Sequence, residues 1–291
     1  MDKVLMRIKE VEVAPCDDGG MVAAHPTISV EATQPLRMQP RLAALLPREH
    51  GSWALALEPL ALALIVAPSL RGAALALAAV VLFLMRRPWQ VMMAAGDRVR
   101  ARLAGRVLVF LGVVAAGLGA FAIAPGAGDL MVPLALAATS AAVFAWFDRQ
   151  REARAAIAEC AGAATFAVLA ATIVLISAVR ADATLAVAIG GFALARGWTS
   201  ILPVRVYVRR RKGQAASGVL ALAVAGLGCA GAVFAADVLD TWVPAAWMAV
   251  FTLRTAWLVG PWAPTWPARR IGWMEMALGL AAVVGTGLSL S

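Results

Sequence analysis

Nine apolar stretches, each about as long as the hydrocarbon core of a bilayer is thick, follow one another along this chain: residues 51–68, 70–86, 107–124, 130–147, 159–179, 183–200, 217–236, 242–260 and 271–289. Crossing ~30 Å of hydrocarbon takes about 20 residues of α-helix. In lipid every backbone N–H and C=O must be satisfied within the spanning element, so stretches of this length are read as helices. Composition agrees with this: 62% of the residues are hydrophobic and 15% charged, more apolar surface than one soluble core of 291 residues would bury. The expected fold is all-α, a polytopic membrane helical bundle of about nine transmembrane helices. Because the second stretch is short between Arg71 and Arg86, its helix is expected to continue through Pro88 toward Gly96 with a kink.

Basic residues orient the bundle. Lys and Arg are retained on the cytoplasmic side of short loops. Assigned to alternate loops, they divide eighteen to two: Arg86 to Arg106, Arg149 to Arg154, Arg196 to Lys212 and Arg254 to Arg270 against Arg71 and Arg180. Asp129, Asp182, Asp237 and Asp240 accompany the poorer set. Strict alternation then puts the N-terminus inside and the C-terminus outside a bacterial inner membrane. A pI near 10.9 reports this topology and needs no nucleic-acid partner to explain it.

Residues 1–46 mix Pro, Asp, Glu, Gln and Thr without a sustained apolar period and lack the pattern of a signal peptide. They are expected to form a disordered cytoplasmic tail, with Met21 and Met38 as alternative starts, ahead of a transmembrane helical domain over 47–291. Cys16, Cys160 and Cys229 are odd in number and far apart, which indicates neither a disulfide framework nor a zinc site. Walker, HExxH and GxSxG motifs are absent, and no GxGxxG follows a strand.

The informative polar residues gather near the expected cytoplasmic ends. MRRPWQVMMAAGDRVRAR follows the second stretch and LARGWTSILPVRVYVRRRKG the sixth; each contains Arg-x-Trp (Arg87 and Trp89, Arg196 and Trp198), four spans apart. On a helix Arg205, Arg209 and Lys212 form a cationic stripe, as do Arg98 and Arg102. Such stripes suit anionic lipid head groups or phosphate groups. On one continuous helix Asp148, Glu152 and Glu159 would form an acidic stripe entering the fifth span. Metal ligation requires oxygen ligands converging from several elements, and the neighbouring Arg149, Arg151 and Arg154 favour ion pairs instead. Glu58, directly before Pro59, lies about two turns inside the first span, where a carboxylate facing lipid would cost several kcal/mol. It is expected to face a polar cavity between helices. His50 shares its broad side of the helix, and Glu275 enters the ninth span beyond Arg269 and Arg270.

Four segments in this order, PREHGSWALALEPLALALIVAPS at the first span, DRQREARAAIAECAG before the fifth, ILPVRVYVRRRKG after the sixth and RIGWMEM at the ninth, resemble the YwiC-like family of bacterial integral membrane proteins over about residues 46–291. That resemblance implies no particular reaction. Nine spans with polar stretches after the second and sixth are also similar, more distantly, to the UbiA superfamily of intramembrane prenyltransferases. This likeness implies a cytoplasm-facing cavity in which two Asp-rich motifs hold a prenyl diphosphate through magnesium. Here the first stretch offers only Gln90 and Asp97, and no Asp or Glu stands between Arg196 and Lys212. Magnesium therefore has no first shell, and no cofactor is predicted. Conventional prenyl transfer would lose the Lewis acid that ionises the diphosphate.

Two functional readings remain. One is a UbiA-like bundle binding an anionic amphiphile of isoprenoid, quinone or porphyrin type, as an atypical transferase or a binding protein, with His50, Glu58, Glu159, Arg196, Arg205, Arg209 and Glu275 as candidate ligand-binding residues. The other is a small transporter or respiratory accessory protein in which Glu58 pairs reversibly with an Arg. Membrane lipids are partners in either case. A polar path to Asp129, Asp182 or Asp237 would mark the second; no ladder of Asp or Glu crosses the spans, which favours the first.

Overall fold

The computed structural model describes residues 50–94, 98–123, 130–178 and 181–291. The expected tail, Asp97, Asp129 and Arg180 lie outside the described residues. Among those described, nine helices and no strands occur: α1 (His50–Val66), α2 (Leu70–Ala94), α3 (Arg98–Ile123), α4 (Met131–Arg149), α5 (Ala156–Leu175), α6 (Ala183–Arg211), α7 (Val219–Leu239), α8 (Val243–Val259) and α9 (Ala268–Leu290). Each apolar stretch has become one helix. α2 runs on through Pro88 and α3 starts already at Arg98, their basic flanks being rich in helix-forming Arg, Met and Ala; α6 continues through Pro203 to Arg211. Helices α3, α4, α5, α6, α7 and α9 are long and apolar enough to cross a membrane, and the protein is a multi-pass membrane bundle.

Alternation of direction follows from which helix ends touch. The Arg71 Nε at the start of α2 donates to the Ala122 carbonyl at the end of α3, 2.8 Å away. At the other end of the bundle Arg86 of α2 pairs with Asp148 of α4 at 3.0 Å. On that same basic end Arg205 of α6 donates to the Arg154 carbonyl before α5, and Arg210 donates to the Val259 carbonyl that closes α8. At the opposite end Asp182 caps α6, accepting from Thr184 N at 2.6 Å and Leu185 N at 3.1 Å. The backbone N–H groups of Leu185 and Thr184 hold its carboxyl below the ordinary carboxylate range. The cap is thus at full strength above that range and is lost as pH falls through the lowered folded value.

Burial divides the helices into two classes. α1, only 17 residues long, packs against α5, α6 and α9, and α6 also touches α7 and α8. Small residues permit these approaches: a Cβ on Gly190 of α6 would meet the Ala171 Cβ of α5 at 3.0 Å. α3 and the outward side of α7 face away from this group. Their Val109, Phe110, Val113, Leu227 and Phe234 are 67–80% exposed, a distribution that is unfavourable in water and natural against lipid tails.

The connection between α4 and α5 corrects one expectation. α4 ends at Arg149, Arg151 takes a left-handed φ of 63°, and Ala155 is extended. The helix on which Asp148, Glu152 and Glu159 would share a stripe is therefore broken. Asp148 turns to Arg86, Glu159 turns to Arg205, and Glu152 is exposed.

The link from α8 to α9 is pinned by buried Tyr207. Its hydroxyl lies 2.8 Å from the Pro264 carbonyl and 2.5 Å from that of Trp266, while Trp266 packs edge-on against Trp257 at 5.3 Å. One hydroxyl proton serves the two carbonyls. Tyr207→Phe should cost about 1 kcal/mol, read as a fall of roughly 2–4 °C in thermal unfolding in detergent. An unchanged midpoint would mean that the aromatic packing alone holds this loop.

Candidate functional site

Four charged side chains from four helices meet inside the bundle. Glu58 of α1 places Oε2 3.3 Å from Arg196 Nη2 of α6. Arg196 Nη1 lies 3.7 Å from Glu275 Oε2 of α9, and Nη2 donates to the Glu275 carbonyl at 2.9 Å. Arg254 of α8 donates from Nη2 to Glu275 Oε2 at 2.7 Å and from Nη1 to the Thr199 carbonyl at 2.9 Å. Ser200 Oγ adds a third contact to Glu275 Oε2, at 2.7 Å. The four side chains are 5–12% exposed. Two carboxylates against two guanidinium groups leave the quartet charge-balanced, the condition under which ions of this kind are tolerated out of water.

Packing reinforces this placement. Phe251, fully buried on α8, has the Arg196 guanidinium 4.7 Å and the Arg254 guanidinium 6.0 Å from its ring centroid. On α9, Gly279 faces the pair directly: a Cβ there would collide with the Glu58 carboxylate and the Arg196 guanidinium. Not every polar atom is used. Glu58 Oε1, Glu275 Oε1, Arg196 Nε and Nη1 and Arg254 Nε have no hydrogen-bond partner among the described residues.

Three of the four, Glu58, Arg196 and Glu275, line a cavity of about 1420 Å³ between α1, α2, α4, α5, α6 and α9. Its walls are apolar and aromatic, with Leu55, Phe83, Phe144, Phe166, Ile201 and Val204 among them. Phe83 and Phe166 meet edge-on at 6.1 Å, and Trp53 backs Phe83 at 5.1 Å. Toward the basic end of the bundle the lining becomes charged: Arg86, Asp148, Arg154, Glu159, Arg205, Lys212 and Arg269. Asp148 is held by Arg86 at 3.0 Å and by Gln90 Nε2 at 2.9 Å, and Glu159 by Arg205 at 2.8 Å. Lys212 and Arg269 are exposed and make no ion pair among the described residues. Six cations and four carboxylates line the cavity, so the excess at its mouth is positive. Among the described residues no three His, Cys, Asp or Glu side chains gather closely enough to hold a metal ion.

The geometry treats the expected residues unequally. Glu58, Glu159, Arg196, Arg205 and Glu275 all line the one cavity. Arg209 is exposed and absent from its lining, so the cationic stripe expected with Arg205 and Lys212 is split by the turn of α6. Arg98 and Arg102 are likewise exposed and outside it. His50 opens α1, but its side chain lies outside the described residues. Arg196 and Arg254, counted among the loop cations, are in fact buried within α6 and α8. Their departure breaks the likeness between the two Arg-x-Trp stretches, since Arg87 is exposed and Trp198 Nε1 donates inward to the Cys160 carbonyl at 3.0 Å. Arg254 carried the same signal as Glu58, a lone charge deep in an apolar run, and the loop count obscured it. Ser200 and Gly279 carried no signal in the sequence.

Comparison with known proteins adds one result. Residues 46–174 match the family model described as YwiC-like protein; no curated protein and no solved structure matches the chain. The match ends before α6, so the segments ILPVRVYVRRRKG and RIGWMEM fall beyond it. The chain is similar to this family over the stretch from α1 into the last turn of α5, which supplies Glu58, Asp148 and Glu159 to the cavity.

Proposed function

We propose that this protein binds a lipophilic anion within its intramembrane cavity, the anionic group at the basic mouth and the apolar body along the aromatic wall. The observation that carries the reading is the combination in one space of about 1420 Å³ of apolar walls with two exposed cations, Lys212 and Arg269, at the charged end. Pockets for small ligands are commonly about 300–1,000 Å³, so this volume suits a large amphiphile of the isoprenoid, quinone or porphyrin class. An anion gains at the mouth because Arg and Lys there outnumber their carboxylate partners. The basic end is taken as the cytoplasmic face of a bacterial inner membrane, with the N-terminus inside and the C-terminus outside. Sixteen of the eighteen cations assigned to that face remain near helix ends once Arg196 and Arg254 are removed, which supports the orientation. Transport across the bilayer is less well supported, since neither Asp182 nor Asp237 lines the cavity.

Native mass spectrometry with lipid analysis, on protein purified in mild detergent, tests the proposal. Wild type should retain an anionic amphiphile that Lys212→Ala/Arg269→Ala loses, by about tenfold in occupancy for two charge-assisted contacts. Retention of bulk lipid alone, unchanged in the variant, would overturn it.

A further inference from the structure

α2 changes its surroundings halfway along its length. In its first half Leu75, Ala76 and Ala79 belong to the main apolar core together with Ile173 and Val174 of α5. The approach is closest at the start, where a Cβ on Gly72 would come within 2.9 Å of Ile173 Cγ2. Beyond Val81 only Pro88 is buried, and Leu82, Phe83, Met85, Arg86 and Trp89 line the cavity instead. α3 accompanies this second half: a Cβ on its Gly112 would meet Met85 Cε at 3.7 Å, and one on Gly105 would meet Met92 Sδ at 3.9 Å.

Across the cavity stands α4, which contributes Ala141, Ala145 and Asp148 to the lining. Ala141, Ala145, Leu82 and Trp89 line the cavity and are nevertheless exposed, so the space reaches the outer surface of the bundle between α2 and α4. Val143 and Trp146, on the same stretch of α4, are exposed and apolar, as suits a seam that faces lipid. The backbones of α2 and α4 scarcely meet, since α2 packs on α3 and α4 on α5. Asp148 bridges them. Its Oδ1 accepts from Arg86 Nε at 3.2 Å, Arg86 Nη2 at 3.0 Å and Gln90 Nε2 at 2.9 Å, and its Oδ2 lies 3.2 Å from the same Gln90 nitrogen. The Arg86 guanidinium also sits 5.0 Å from the centroid of the Phe144 ring. With side chains 18% and 7% exposed, Arg86 and Asp148 are shielded from the salt that weakens surface pairs.

We propose that the α2–α3 hairpin is a hinged wall, pivoting where Gly72 meets α5 and clasped at Asp148, and that the amphiphile passes between bilayer and cavity through the α2–α4 seam. The route rests on the proposed binding of an amphiphile and adds how the ligand reaches its site.

Thiol labelling in lipid nanodiscs tests it without needing a bound ligand. Thr165 of α5 lines the cavity and is half-buried; Thr165→Cys is placed in the full chain with Cys16, Cys160 and Cys229 replaced by Ala, and N-dodecylmaleimide is supplied from the bilayer. Asp148→Asn should raise the labelling rate about tenfold, because a charge-assisted bond made only in the closed state is lost and the open state gains population. The exchanged pair Arg86→Asp/Asp148→Arg should restore the slow rate. Ala141→Trp, which fills the seam without touching the ion pair, should slow labelling below wild type. Should Asp148→Asn fail to fold, Gln90→Ala removes one donor from the clasp and should give a smaller rise. An unchanged rate in these clasp variants would overturn the hinged wall, and an unchanged rate in Ala141→Trp would put the route elsewhere and overturn the seam. Arg210→Met breaks a tie to the Val259 carbonyl at the same end of the bundle, and an equal rise there would mean general loosening and also overturn the clasp. None of these results bears on the anion at the basic mouth, whose failure would show in the mass spectra of Lys212→Ala/Arg269→Ala.

Discussion

Arg196→Met should destabilise the bundle by about 3–5 kcal/mol, the range for removing one partner from a buried ion network. The arginine stands between Glu58 and Glu275, and without it two carboxylates share the single cation Arg254. Methionine keeps much of the volume against Phe251, so the loss reports charge more than packing. Adding Glu58→Gln should recover most of the stability, since Glu275 and Arg254 then remain as a balanced pair. Arg205→Met provides the contrast: its partner Glu159 is 33% exposed and the pair is screened, so a change below about 1 kcal/mol is expected. Thermal unfolding of the four proteins in one detergent checks all of this. A double variant no more stable than Arg196→Met would show that charge balance is not what the quartet supplies.

Gly279→Ala should be harmful where alanine normally helps a helix. Within α9 the substitution should gain up to about 1 kcal/mol from helix propensity. At Gly272, one heptad earlier on the same helix, a Cβ meets nothing within 4 Å, and Gly272→Ala should be neutral or mildly stabilising. At Gly279 the added methyl occupies the space of the Glu58 carboxylate and the Arg196 guanidinium. The pair must move or α9 must withdraw, and overpacking of this kind costs about 1–3 kcal/mol. The two alanine variants should therefore shift the unfolding midpoint in opposite directions. A shift of equal sign would mean that α9 adjusts freely and that its contact with the pair is loose.

These sites show where the sequence was legible. Helix number and order were readable because hydrocarbon thickness fixes segment length, so each apolar run from α1 to α9 announced itself. Glu58 and Glu275 were readable because a carboxylate in an apolar run needs a partner. The identity of the partner was not: Arg196 and Arg254 come from other helices, and only packing reveals which charges face which. The break between α4 and α5 was missed for a local reason. Arg151 adopts a left-handed conformation that nothing in DRQREAR requires, and periodicity alone carried the helix across it. The glycine at 279 was silent because its role lies in what stands opposite.

The placement of α1 bears on how the protein is made. During synthesis α1 is the first of these helices to reach the membrane, yet the groups that enclose it come from α5, α6 and α9. Glu58 enters the bilayer before its arginine exists, and at roughly 5–20 residues per second the wait for α6 is on the order of ten seconds. During that interval an ionised carboxylate in hydrocarbon is penalised by a few kcal/mol, which a 17-residue helix is poorly equipped to absorb. On this reasoning the first helix is expected to settle fully only once the sixth supplies Arg196, with the ninth then bringing Gly279 against the pair. The contact of the last helix with the first, α9 against α1, is the one that chain order makes available last.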